Sequence, residues 1–156
     1  MNKQIDVCIR PFRDEERNRI IAINHECGSP LNDCWFAERP DRVVTYALVA
    51  ECDGGVEGFV FYRLRDEGVY VECMAVSPAM RRRGIARLLM SELLVKTMEL
   101  NRDVVRLHVA PDNKAALALY LSMGFYCVKV SDNFYGPGQA GHMLRLDLVS
   151  LSQAAA

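Results

Sequence analysis

Two groups of residues have the types and spacing to do chemistry. The first is Arg81-Arg82-Arg83-Gly84, three cations and a glycine ahead of an apolar segment. Guanidinium groups make charge-assisted, often bidentate bonds to phosphate. Glycine permits a tight turn and a close approach of the ligand. A helix beginning here would add free N–H groups and a dipole that favours anions. The indicated chemistry is the anchoring of a phosphate. The alternative is a solvated basic helix start, in which the cations oppose the dipole. The sequence holds neither a GxxxxGK[ST] loop nor a GxGxxG fingerprint. The second group is Tyr70, Glu72 and His108. Read as strands, residues 69–76 and 103–110 alternate, so Tyr70, Glu72 and Met74 share a face. Arg106 and His108 share another, opposite Val105, Leu107 and Val109. If the sheet splays between the two strands, Tyr70, Glu72 and His108 can meet. A histidine titrates near neutral pH and suits general-base work. The competing reading is an ordinary exposed strand histidine.

Composition narrows the partners. The chain has 156 residues, 51% hydrophobic and 25% charged, with a net charge of −1. That is enough for one domain with a core. Proteins that live on nucleic acid or anionic lipid carry a broad basic surface. A near-neutral chain with one arginine run points to a small anion, with no nucleic acid and no membrane partner. The six cysteines form no CxxC pair and no Cys/His cluster with zinc spacing, so no metal is expected. Their scatter and the lack of a signal peptide predict reduced, mostly buried thiols in a cytoplasmic protein. No apolar run reaches the roughly 18–20 residues of a transmembrane helix.

These residues need elements to position them. Residues 5–10 alternate as a strand, and 13–24 read as a helix with Ile20, Ile21 and Ile23 on its stripe. Residues 27–41 break that pattern, with room for a short helix between Pro30 and Pro40. Residues 43–52 and 55–65 read as a hairpin around Asp53-Gly54-Gly55, and 69–76 as a third strand. Ser77-Pro78 stops the sheet. A long helix follows over 82–100, with Leu88, Leu89, Leu93, Leu94 and Met98 at helical spacing. Then come a strand at 103–110, a helix at 112–123 ended by Gly124, and strands at 125–131 and 141–149. A Gly/Pro-rich loop is expected over 132–140. The helix between 69–76 and 103–110 makes those strands parallel. The expected fold is α/β (α+β), one domain over 1–150, with a frayed tail at 151–156.

Two segments resemble a known family. Arg81, Gly84 and Ala86 stand at the positions of R/Q-x-x-G-x-G/A, a signature of the GNAT superfamily of acetyltransferases. Asn113, Ala116, Tyr120, Gly124 and Phe125 match its N-x-x-A-x-x-x-Y-x-x-x-G-F segment. The element order is similar too. The resemblance covers residues 69–148 well and 1–50 weakly. It implies a mixed, mostly antiparallel seven-stranded sheet with about four helices and a splayed central parallel pair. It implies acetyl-CoA, its pyrophosphate on the backbone of Arg81, Arg82, Arg83, Gly84, Ile85 and Ala86. The pantetheine arm would pair with Met74, Ala75 and Val76, with Asn113 and Tyr120 on its far side. Plain alternatives are an N-cap role for Asn113 or Asp112 and a core role for Tyr120.

Within that superfamily the chain is most similar to RimI-like and other N-terminal protein Nα-acetyltransferases. In one eukaryotic group a His and a Tyr stand where His108 and Tyr70 are and act as the base system. Carried over, His108 is the base, Tyr70 its water-holding partner, and Tyr120 the acid for the thiolate. Glu72 is a second candidate base, or an ion-pair partner for Arg106 or another cation. The segment Asn133-Phe134-Tyr135 resembles the N-[YF]-Y loop that covers the substrate. Tyr135 would then bond the peptide backbone, with Phe134 packed beneath it. Pro30 and Leu31 match a peptide-binding turn more loosely, and Trp35 and Phe36 read as core. Ala86 in place of Gly is within the pattern, the 136–142 loop is short and glycine-rich, and His142 has no role by resemblance. The implied acceptor is a protein or peptide N-terminus. The alternatives are a small amine (polyamine, amino acid or antibiotic) and a non-catalytic CoA-binding module. The sequence says nothing of an auxiliary subunit or a homodimer.

Overall fold

The computed structural model describes residues 3–28 and 45–148. Seven strands form one sheet in the order β1-β2-β3-β4-β5-β7-β6. They are β1 (Val7–Pro11), β2 (Thr45–Cys52), β3 (Gly55–Arg65), β4 (Gly68–Val76), β5 (Val104–Val109), β6 (Tyr126–Gly136) and β7 (Gln139–Asp147). The α-helices among the described residues are α1 (Arg17–Glu26), α2 (Ile85–Glu99) and α3 (Lys114–Ser122), fewer than the four the sequence suggested. The fourth was expected between Pro30 and Pro40, outside the described residues. No helix among the described residues is long and apolar enough to cross a membrane.

The chain divides into two compact units, with β3, β4 and α2 contributing to both. The first comprises Met1–Arg63 and Cys73–Leu93. Its strands β1, β2 and β3 pair antiparallel. Asp53 and Gly54 at the hairpin tip take φ of 48° and 89°, the left-handed geometry that matches strand twist. Its core packs Ile20 and Ile23 of α1 against Val49, Val56, Phe59, Phe61 and Ala75. Ile21 is only half-buried, so the α1 stripe is narrower than its three isoleucines suggested. Residues 14–16 form a 3₁₀ turn rather than the start of the helix. There Glu16 bonds Arg10 of β1, which also reaches Glu51 of β2 at 2.7 Å. On α2 the buried stripe is Ile85, Leu89, Met90 and Leu93. Leu88 and Met98, expected on that stripe, are 44% and 47% exposed. The helix starts at Ile85, three residues later than expected, and Leu88 and Met98 lie on the flank of its buried stripe.

The second unit comprises Leu64–Glu72 and Leu94–Ala156. Its central pair is parallel, with Val69 opposite Val105, Tyr70 opposite Arg106 and Val71 opposite Leu107. Both strands run past these registered pairs, β4 to Val76 and β5 to Val109, as a splayed pair requires. A Cβ on Gly68 would lie 2.0 Å from the Val104 carbonyl oxygen, so only glycine allows this approach. The alternation holds: Val105, Leu107 and Val109 are buried while Arg106 and His108 are half-buried. The expected loop over 132–140 is instead the two arms of a hairpin, closing at Gly136 opposite Gln139. Pro137-Gly138 forms the tip, with Gly138 at φ 73° and its N–H bonded to Asn133 Oδ1 at 2.7 Å. The described cysteines are not mostly buried: Cys52 is, while Cys8 and Cys127 are exposed. Cys34 lies outside the described residues.

Candidate functional site

In the first unit, β4 leads directly into the arginine run. Ser77 closes the strand and is 2% exposed. Its N–H bonds the Glu57 carbonyl at 2.7 Å and its hydroxyl bonds Glu57 Oε2 at 2.5 Å. Arg19 of α1 meets the same carboxylate at 2.9 Å and bonds the Val56 carbonyl at 2.8 Å. One carboxylate thus ties α1, β3 and the root of the loop together. Beyond Ser77 a 3₁₀ turn (Pro78–Met80) delivers Arg81, Arg82 and Arg83, all exposed side chains except where Arg81 reaches back to the Val76 carbonyl at 3.5 Å.

Arg82 takes φ 61° and Gly84 φ 77°. For Arg82, a non-glycine residue, the left-handed region is a strained choice. Leu88 N–H bonds the Gly84 carbonyl, so α2 begins at this glycine. The N–H groups of the opening turn, at Ile85 and Ala86, have no carbonyl one turn earlier in the helix. No atom comes within 4 Å of a Cβ built on Gly84. Open space, unpaired helix donors, the dipole of a 15-residue helix and three arginines converge there, and a pyrophosphate fits that donor set. Of the expected pantetheine strand, Ala75 is buried and Met74 and Val76 are half-buried.

In the second unit, Tyr70 and His108 meet. The tyrosine hydroxyl lies 2.7 Å from His108 Nδ1. Phe134 stacks on the imidazole, ring centroids 3.7 Å apart and planes 6° from parallel. Tyr135 meets Phe134 edge-on at 4.8 Å. Phe134 therefore packs on the histidine as well as beside Tyr135, a contact the sequence did not suggest. Burial holds the His108 pKa below the usual imidazole value, and the nearby Lys129 cation adds to the effect. Glu72 is half-buried on the Tyr70 face of β4. Arg106, suggested as its partner, pairs instead with Glu67 at 2.6 Å.

The second motif is largely the punctuation of α3. Asn113, not Asp112, is the N-cap, its Oδ1 accepting the Ala116 N–H at 3.3 Å. Tyr120 is 7% exposed and its ring tilts against Phe125 at 5.6 Å. Gly124 takes φ 99° after the last turn, where a left-handed residue ends a helix. Pro30 and Leu31 lie outside the described residues. No group of His, Cys, Asp or Glu among the described residues can hold a metal ion. The stacking of Phe134 on His108 and the role of Glu57 were not anticipated from the sequence. The Pro137-Gly138 tip could have paired the hairpin arms and brought residue 134 over the sheet, while Glu57 gave no local signal.

Comparison with known proteins shows the family and the fold. The model of the acetyltransferase (GNAT) family matches residues 9–125. The chain is 36% identical over 114 residues to the N-alpha-acetyltransferase RimI of Mycobacterium tuberculosis, covering 73% of this chain and 65% of that protein. It is 34% identical over 115 residues to the L-2,4-diaminobutyric acid acetyltransferase of Nocardia farcinica, covering 72% and 56% respectively. The chain thus spans somewhat under two thirds of these relatives' own length. The crystal structure of Arabidopsis thaliana NAA60 in complex with acetyl-CoA superposes with a TM-score of 0.80 at 22% identity, over 91% of this chain and 97% of that one. With a family match over most of the chain and a shared fold, the protein belongs to the acetyltransferase (GNAT) family, whose members use acetyl-CoA.

Proposed function

We propose that the protein is an acetyl-CoA-dependent Nα-acetyltransferase acting on protein or peptide N-termini in the cytoplasm. The observation that carries this reading is the Tyr70 hydroxyl on His108 Nδ1 at 2.7 Å. Acetyl-CoA, when bound, supplies a thioester carbonyl as electrophile and a thiolate as leaving group. Residues Arg81 to Ala86 hold the diphosphate by backbone N–H groups and guanidinium charge, and Met74, Ala75 and Val76 offer the strand edge for the pantetheine arm. The family resemblance also assigns Asn113 and Tyr120 to the arm.

The acceptor must present a neutral amine. An α-amine, with a reference pKa of about 7.7–8.0, needs far less help than a lysine at about 10.4. His108 acts as base through Nε2 when Nδ1 carries the ring proton and donates it to the Tyr70 oxygen. Tyr70 then still has its own O–H to hold a water against the amine. His108 accepts one proton from the attacking amine, directly or through that water. Tyr120 gives one proton to the departing sulfur, and solvent restores both groups. Tyr135 bonds the acceptor backbone, and the family resemblance alone assigns Pro30 and Leu31 to the acceptor. Glu72 is the alternative base.

The similarity to a diaminobutyric acid acetyltransferase favours a second reading, a small-molecule amine acceptor. Lys129, whose charge is felt at His108, opposes acceptors with several cations such as polyamines. A thiol-release assay with acetyl-CoA decides between them. Free N-terminal peptides should turn over, and N-blocked lysine peptides and polyamines should not. Turnover of small amines with none on any free N-terminal peptide would overturn the first reading.

A further inference from the structure

Phe134 sits on a surface that a side chain would close. A Cβ on Gly141 would come within 2.8 Å of Phe134 Cβ and Cδ1 and 2.9 Å of Cγ. Gly141 precedes Met143 by two residues on β7, and Met143 is the registered partner of His108 on β5. Glycine 141 and histidine 108 therefore share one face of the sheet, and the missing side chain leaves the slot that the phenyl ring fills. The ring presents one side to the imidazole, nearly parallel at 3.7 Å. Its edge contact to Tyr135 and the Asn133–Gly138 bond at the hairpin tip hold it from the other end.

We propose that Phe134 is a positioning residue for His108. The phenyl face fixes the plane of the imidazole while Tyr70 fixes its Nδ1, so the remaining nitrogen keeps one direction. Two restraints are needed because a hydrogen bond at one atom leaves the ring free to swing about it. Stacking covers only the π-face. The lone pair of Nε2 lies in the ring plane and stays open to an acceptor or a water. The clamp also keeps water off the imidazole, which disfavours the charged form. The charged and titratable groups sharing this face are Tyr70 and Glu72 on β4, Arg106 on β5 itself, Tyr126 and Lys129 on β6, and Arg145 and Asp147 on β7. The β7 residue directly opposite His108 is the neutral Met143, and Arg145 and Asp147 pair with each other. Phe134→Ala therefore removes the shield and leaves the charges in place. The inference rests on the proposed role of His108 as the base, but its ring titration can be read without any acceptor.

The test is the titration of His108 by ¹⁵N NMR in the wild-type protein, Phe134→Ala, Phe134→Trp and Gly141→Ala, with His108→Gln to assign the signal. The His108 pKa should rise in Phe134→Ala and in Gly141→Ala, where a methyl group displaces the ring without deleting it, and stay near the wild-type value in Phe134→Trp. With an accepted substrate, kcat of Phe134→Ala should fall roughly tenfold to a hundredfold while KM for acetyl-CoA stays within about twofold. Its acid limb should move up with the measured pKa. An unchanged His108 pKa in both Phe134→Ala and Gly141→Ala overturns the proposal. So does a kcat loss that Phe134→Trp does not restore. If no N-terminal peptide is acetylated, the functional reading fails, and the NMR titration still decides the clamp.

Discussion

At the scale of single residues, the chemistry turns on which group takes the proton. Burial and Lys129 both lower the His108 pKa. A lowered pKa keeps the base unprotonated to lower pH, so the sign is toward activity in acid. In the kcat profile at saturating acceptor, the acid limb should fall below pH ~6.5, the ordinary imidazole value. His108→Ala should lower kcat by roughly 10²–10⁴-fold, the usual worth of a placed base. Glu72→Gln should keep kcat near wild type. The opposite ranking of these two variants would move the base to Glu72. This pair was legible in the sequence because alternation assigns the apolar Val69, Val71, Val105 and Leu107 to the buried face, which leaves Tyr70 and His108 together on the other. The aromatic contact was not legible. Phe134 reaches His108 through a hairpin whose arms the glycines and proline of 136–141 disguised as a loop.

At the scale of elements, motifs read as binding sites turn out to include structural punctuation. Asn113, Ala116, Gly124 and Phe125 are the cap, the capped N–H, the left-handed exit and the apolar residue tucked behind it. A helix needs that grammar whether or not a ligand is present, and the spacing alone does not separate the two. The α2 stripe was misjudged for a related reason: leucines at 88, 89, 93 and 94 fill too wide an arc for periodicity to choose a face. Gly68, by contrast, has a purely steric reason. Gly68→Ala would drive a methyl group into the Val104 carbonyl. We expect a loss of about 1–3 kcal/mol or more, seen as a lower urea midpoint, because backbone rather than a flexible side chain must give way. A midpoint within experimental error of wild type would mean that the β4–β5 pair is less tightly joined than described.

At the scale of the whole molecule, charge and ligand binding are the informative quantities. A net charge of −1 argued for a small anion over a polyanion, and the open helix start at Gly84 gives that anion a place. A ligand that binds only the folded chain stabilises it by about 2.7 kcal/mol at a hundred times its Kd. For a chain of this size that corresponds to a Tm increase of roughly 5–10 °C with CoA. Duplex DNA at physiological salt should leave Tm unchanged. Equal shifts with DNA would return the three arginines to a general basic surface. The β2–β3 hairpin and the parallel crossover were legible because short connections and crossover rules leave few alternatives, whereas the place of β7 between β5 and β6 was not. The Glu57 anchor was not. Its partners come from residues 19 and 77, and no local pattern announces a contact across such separations.

The two-residue tip at Pro137-Gly138 has a consequence for recognition. Phe134 and Tyr135 lie between the registered pairs Ser131–Gly141 and Gly136–Gln139 and pack through their rings on His108 and on each other, so much of their freedom is already surrendered when the protein folds. An arriving acceptor meets a surface prepared in advance, and the loss of chain entropy on binding falls on the acceptor. Differences in affinity between acceptors then report mainly how readily each one gives up its own disorder.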